Sequence, residues 1–247
     1  MSTHKPFRDK MKVMTTLSHD PNIKNHLPET KWFRQDNLVK MLDKYKAAYI
    51  KPNKGKQGRS IVRVKNTKDG HEISSGSDRI NIPSESLKSE LKKTMSDSIK
   101  YVVQQGIDLA TYKGRPFDMR IVAQKPYNFW QISLTGAKVA TFKEAAVTNL
   151  TKGSKAYALQ EILCNYDQRQ DPMATLREII DLSHQISYIL GEHFPLRIIG
   201  LDIAVDKKGK LWFIEANTQP INSIIKVNDV ESQKKYLNAK QIIKDSL

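Results

Sequence analysis

The sequence predicts an α+β protein with mostly antiparallel sheets, and three features carry that prediction. Candidate strands arrive in runs between helices rather than alternating with them, as expected where helices and sheets segregate. The stretch 175–193 places Leu176, Ile179, Ile180, Ile186, Ile189 and Leu190 on one broad helical stripe. Two apolar stretches, 198–206 and 211–215, flank Lys207-Lys208-Gly209-Lys210, which reads as the turn of a strand pair.

In chain order, residues 1–26 are polar, basic and aperiodic, and are expected to form a basic N-terminal arm with order beginning near His26. Leu38, Met41, Leu42 and Tyr45 recur at helical spacing and predict a helix from Asn37. A strand over 47–51 stops before Pro52; a basic loop, a return strand over 61–64 and a second hairpin-like region to Ile82 follow. Residues 84–95 predict a helix with Leu87 and Leu91 facing inward. Strands are expected at 101–105, 117–124, 130–134 and 138–142, separated by Gly or Pro. Helices over 156–163 and 175–193, the hairpin and a polar helix from Val230 complete the chain. The expected division is the arm (1–26), a first unit (27–105) and a second unit (106–247).

With 247 residues, 39% hydrophobic and 27% charged, the chain has a globular rather than a disordered composition. No apolar run approaches the ~18 residues of a membrane span, so no membrane partner is expected. The basic N-terminus lacks the apolar stretch of a secretory signal, and the single Cys164 excludes an intrachain disulfide. A cytoplasmic location is the expectation. Lys and Arg number 41 against 26 Asp and Glu, a net charge of +15. That favours anionic partners, among them nucleic acid, an acidic peptide or polymer, and ATP. A merely solvated basic surface accounts for the charge equally well.

The hairpin is the most informative segment. If the turn spans Lys207 to Lys210, Asp206 pairs with Leu211 and Asp202 lies opposite Glu215, while alternation puts Asn217 on the face of Glu215. Cross-strand neighbours sit ~5 Å apart, where two negative charges repel by about 3 kcal/mol at an effective dielectric of about 20. A hard divalent cation offsets this repulsion, and magnesium, held by oxygens, completes its shell with water and phosphates. A salt-bridged pair of acids, neutralised by Arg120 or Arg197, satisfies the hairpin taken alone just as well.

Two basic features complement it. Lys51 ends an apolar strand just before a loop containing Gly55, Gly58 and Ser60, in which glycines let backbone N–H groups approach an anion. The loop does not match the P-loop pattern, and such a turn is often plain solvated hairpin. Arg120 lies inside the apolar run Phe117-Asp118-Met119-Arg120-Ile121-Val122, so it must be paired or face a site. The six histidines form no metal-ligand pattern.

Together these residues resemble the ATP-grasp superfamily, and specifically its YheC/YheD-type family of endospore coat-associated proteins. The matching segments are 26–30, 49–52 with Gly55 and Gly58, 104–107, 117–120, 147–150, 200–202 and 213–217, in family order. The resemblance implies an ATP-grasp fold: two subdomains whose mostly antiparallel sheets sandwich ATP, without a full N-terminal preceding domain. It implies that Lys51 contacts ATP phosphates under a Gly55–Ser60 lid, and that Gln104, Gln105 and Ile107 form the hinge that reads adenine. Asp108 would contact ribose, Arg120 the transferring phosphoryl group, and Asn149 the phosphate or metal side. Asp202, Glu215 and Asn217 would hold one or two magnesium ions, with Glu215 bridging.

The chain departs from the family where an acid is usual and Gln104 or Gln105 stands, and where an arginine is usual and Lys138 stands, forfeiting bidentate pairing. The usual glycine pair near Asn149 is here only Gly153-Ser154. With a short segment before the first matched motif, acceptor recognition is expected from elsewhere or from another chain. The implied reaction is ATP-dependent ligation of a carboxylate to an amine, or to a thiol, through an acyl phosphate. Catalysis would rest on Lys51, Arg120 and Glu215, with an acidic peptide or polymer as one candidate acceptor. Two alternatives stay open: a kinase-like phosphotransferase on the same site, and a polyanion- or nucleic-acid-binding protein with a degenerate ATP site. For the latter Tyr127, Phe129 and Trp130 beside Lys125 would form a stacking platform, although these aromatics read more readily as strand packing and loop anchors.

Overall fold

The computed structural model describes residues 4–55, 60–76, 78–143, 145, 153–220 and 224–245. The segment expected to be a basic arm instead begins the folded body. Asp9 caps α1 (Lys10–Ser18) by accepting from the Lys12 N–H, and Asp20 caps α2 (Pro21–Lys24), whose Pro21 needs no N–H partner at the first turn. Val13, Met14, Leu17 and Ile23 are buried in the largest apolar core.

The first sheet contains β1 (Thr30–Trp32), β2 (Ala47–Pro52), β3 (Val62–Thr67), β4 (Gly70–Ser75), β5 (Asp78–Ile82) and β6 (Tyr101–Gln105), in the order β1-β6-β2-β3-β4-β5 and wholly antiparallel. Ala48, Ile50, Val62, Val64, Ile73, Tyr101 and Val103 pack under α3 (Gln35–Tyr45) and α4 (Leu87–Thr94). Strand alternation then turns Lys51 and Gln104 to the opposite face.

The second sheet runs β10 (Lys155–Tyr157), β9 (Gln131–Val139), β8 (Arg115–Gln124), β11 (Ile198–Val205) and β12 (Leu211–Asn217), with short β7 (Thr111–Tyr112) beside β8. One face, with Phe117, Met119, Ile121, Leu201, Ile203 and Phe213, packs with residues of α1, α5 (Leu159–Asn165) and the long α6 (Pro172–His193). The other face is divided. Val122, Leu134 and Ile198 lie under α7 (Val230–Asp245), while further along the same strands Asp118, Arg120, Lys138 and Asp202 take the alternate positions.

Three local expectations change. Residues 130–142 do not form two strands, because β9 continues through Gly136, where a Cβ would stand 3.1 Å from Ile224 Cβ; the glycine admits a packed neighbour rather than marking a turn. The helix expected over 156–163 is preceded by β10 and starts at Leu159. The hairpin turn is one residue tighter than expected. Asp206 N–H bonds the Lys210 carbonyl, and the Asp206 carboxylate accepts from the Lys208 and Lys210 N–H groups, so Val205 rather than Asp206 pairs with Leu211.

Candidate functional site

The shifted turn would misplace the acids by one residue, but a bulge restores them. Ile203 pairs with Phe213 and Asp202 with Glu215, leaving Ile214 as the extra residue on β12; Gly200 then pairs with Asn217. The expected Asp202–Glu215 juxtaposition is present for a reason the sequence did not disclose.

Asp202 is buried and fully engaged. Arg120 donates from Nε to Oδ1 at 2.5 Å and from Nη2 to Oδ2 at 3.0 Å, Lys138 Nζ reaches Oδ1 at 3.1 Å, and Asn217 Nδ2 lies 3.3 Å from Oδ2. Lys138 also binds Asp118 at 2.8 Å. Burial alone pushes the Asp202 carboxyl up, but the charges of Arg120 and Lys138 and their hydrogen bonds outweigh it and bring it down to about 2. Of the two arginines weighed as counter-ions, Arg120 takes the role, while Arg197 donates to the carbonyls of Lys125 and Pro126. Gly200 makes room for this fork: a Cβ there would stand 2.8 Å from Pro220 Cβ and 3.4 Å from Arg120 Cδ.

On the facing wall Lys51 donates to Gln104 Oε1 at 2.6 Å, and Gln104 Nε2 donates to Thr30 Oγ1. Burial brings the Lys51 pKa down to about 8, with the attraction of Glu215 acting against it. Gln105 is held by Glu29, its N–H donating to the Glu29 carbonyl and its Oε1 accepting from the Glu29 N–H. Ile107 follows β6 in the connection to the second sheet. Asp108 turns outward, 77% exposed, to Lys207 at 2.8 Å. Ser60 has a left-handed backbone, φ 57°. Gly58 and Asn149 lie outside the described residues.

One cleft joins the walls: Lys51, Gly55 and Gln104 line it from one side, Glu215 and Asn217 from the other. The N-terminal segment lines it too, a contribution that the reading of 1–26 as an arm missed. Lys10 Nζ is 3.1 Å from Glu215 Oε1 and 3.1 Å from the Gly55 carbonyl, linking both walls. Asn53 anchors the segment through Asp9 and the Met11 N–H, and Thr218 anchors it through Phe7. His4 accepts the Arg197 N–H at Nδ1 and reaches the Thr218 carbonyl through Nε2, which fixes the proton on Nε2; burial lowers its pKa. Asp9 before Lys10 was the available signal, an N-cap ahead of Val13, Met14 and Leu17.

The arrangement is that of an ATP-grasp protein. VanG D-Ala:D-Ser ligase from Enterococcus faecalis has the same fold, with a TM-score of 0.58 at 13% identity over 96% of this chain and 61% of that one. The model of the YheC/D-like ATP-grasp family matches residues 1–244, and the chain belongs to that family. It is 28% identical over 231 residues to the endospore coat-associated protein YheD of Bacillus subtilis, covering 90% of this chain and 50% of that protein. It is 25% identical over 236 residues to YheC of the same organism, covering 92% and 64%. The chain therefore spans only half to under two thirds of these relatives. Among the described residues no helix is long and apolar enough to cross a membrane.

Proposed function

We propose that the chain binds ATP with one or two magnesium ions in this cleft and activates a carboxylate for ligation to an amine or thiol. The observation that carries the reading is the meeting of Lys10 and Lys51 with Glu215 and Asn217 in one cleft, with Asp202 and Arg120 paired on the same sheet. Asp202, Glu215 and Asn217 offer hard oxygen donors, and among the described residues no cluster of three His, Cys, Asp or Glu surrounds them. That donor set fits magnesium, which leaves much of its shell to water and phosphate. Bound there, magnesium would supply charge neutralisation along the phosphates.

The protein's own groups do the rest by positioning and charge. Lys51 supplies a cation whose hydrogen-bond partner among the described residues, Gln104, is neutral, ready for an anion. Lys10, now paired with Glu215, would be free to hold a phosphate oxygen where Glu215 held a metal instead. Arg120 holds Asp202 in place and faces the transferring group. A substrate carboxylate oxygen attacks the γ-phosphorus and ADP departs; the amine nitrogen, or thiol sulfur, then attacks the acyl carbon, releasing phosphate and a proton. The same fold serves a ligase in VanG. An ATP-dependent reaction also agrees with the cytoplasmic location expected from the sequence.

The test is Glu215→Ala: magnesium-dependent ATP turnover is lost, while circular dichroism stays that of the parent. Full turnover in that variant would overturn the metal assignment. Hydroxylamine separates ligase from kinase chemistry, because only an acyl phosphate yields a hydroxamate.

A further inference from the structure

The helix α7 presents two stripes. Tyr236, Ala239 and Ile243 are buried against the second sheet, while Leu237, Lys240, Gln241 and Lys244 follow the i, i+3, i+4, i+7 spacing of one adjacent face. With Asn238, His4, Ile198 and Ile243 they line a groove. Its apolar part is Ile198, Ile243 and the half-exposed Leu237; its charges are Lys240 and Lys244, and among the described residues no carboxylate lines it. Asp245, on the same last turn, is tied to Gln241 at 2.6 Å.

The groove and the cleft are tied together by β11 and by His4. Ile198 and Asp202 share a face of β11, four residues apart, which is ~13 Å at the rise of a strand. His4 belongs to both regions, lining the groove while its ring touches Thr218, which lines the cleft. Arg8, in the same N-terminal segment as His4, is exposed, lines the cleft and donates to the neutral amide of Gln219 at 2.9 Å. Cations thus line both regions, Lys240 and Lys244 in the groove and Arg8, Lys10 and Lys51 in the cleft.

The geometry points to this groove as the docking site for an acidic peptide whose reacting carboxylate passes Arg8 into the cleft. The inference rests on the ATP-dependent ligase reading and gives it a substrate class. Lysines attract the peptide's acids, Asn238 offers an amide and Gln241 its amide oxygen to the main chain, and the apolar floor takes intervening side chains. Nucleic acid fits less well, because among the described residues no Phe, Tyr or Trp lines the groove for bases to stack on, and both ring nitrogens of His4 are already engaged. The exposed aromatics Tyr127 and Phe129 lie on the β8–β9 turn, and neither lines the groove.

Fluorescence anisotropy with a labelled hexaglutamate peptide, in low salt and without nucleotide, tests this on the full chain. The parent is expected to bind, and the charge-reversed variant Lys240→Glu/Lys244→Glu to bind about ten-fold more weakly. Equal binding by parent and variant, no binding by the parent, or tighter binding of an oligothymidylate of equal charge would each overturn the proposal. Calorimetry with magnesium and ATP on the same two proteins keeps the readings apart. Unchanged nucleotide binding in the variant assigns its defect to the groove. Absence of nucleotide binding in both proteins removes the ligase reading, and with it the role of the peptide as substrate.

Discussion

Lys51 lines one wall of the cleft and Asp202 lies on the strand paired with the other wall, the first bonded to a neutral amide and the second to two cations and an amide. Burial drives Lys51 toward neutrality and down to about 8, whereas Asp202 resists its own burial because Arg120 and Lys138 hold it ionised, at about 2. The difference assigns tasks to the walls. The first sheet keeps a positive charge hydrogen-bonded to a neutral group and drawn toward Glu215; the second keeps an acid already neutralised by protein cations. Under the proposed reading, a divalent cation would have to displace protein cations from the carboxylates, Lys10 from Glu215 above all. Phosphates arriving with the metal would then give Lys10 and Lys51 an anion, so on this reading the two ligands should bind cooperatively.

The sharpest way to break this comparison is to remove each charge in turn. Asp202→Ala leaves Arg120 buried without its carboxylate and should destabilise the fold by about 3–5 kcal/mol in urea denaturation. The Asp202 pKa lies below the ordinary carboxylate value, so its stabilisation is present above pH ~4 and lost as the pH falls toward 2; the variant should lose that acid-side slope. Lys51→Met should act in the other direction, stabilising by about 1–3 kcal/mol at neutral pH, because a charge penalised by burial is gone while one hydrogen bond is lost. Between pH 8 and 10.5 the native state binds fewer protons at Lys51 than the unfolded chain, so parent stability rises across that window and the variant's should not. Effects of the same sign in the two variants would sink the comparison.

A smaller effect follows from linkage to the ligand. ATP favours charged Lys51, so affinity should hold up to pH ~8 and then fall by at most about ten-fold per pH unit, measured by calorimetry between pH 7 and 9. A flat profile would mean that the nucleotide does not sense Lys51.

Which parts of this were legible in the sequence follows from the range of the signals. Side-chain alternation is local, so the common face of Asp202, Glu215 and Asn217 could be read from residue order. Turn chemistry is less determinate. Asp206 accepts from Lys208 and Lys210 and tightens the turn, and only the bulge at Ile214 brings Asp202 back opposite Glu215; the expectation was right through two offsetting shifts. Gly136 looked like punctuation because the pressure of Ile224 on it comes from a segment almost ninety positions away in the chain, roughly beyond any local pattern. The N-terminal helices were missed for want of periodicity: α1 buries only Val13, Met14 and Leu17 among lysines and threonines. The signals present were caps, Asp9 before Lys10 and Asp20 before Pro21. Lys10 was consequently not recognised as a site residue.

The smallest effect concerns Asp108, whose family counterpart is implied to touch ribose. Its side chain is 77% exposed and its partner Lys207 is 47% exposed, 2.8 Å away. An ion pair so open to solvent contributes little, so Asp108→Ala should change stability by less than about 0.5 kcal/mol, in contrast to Asp202→Ala. That quiet background makes it a clean probe. With the fold unperturbed, a weaker affinity for ATP but not for inorganic triphosphate would report a contact to the nucleoside, reached when Asp108 leaves Lys207. Equal affinities for ATP in parent and variant would assign Asp108 to the β12-side turn alone.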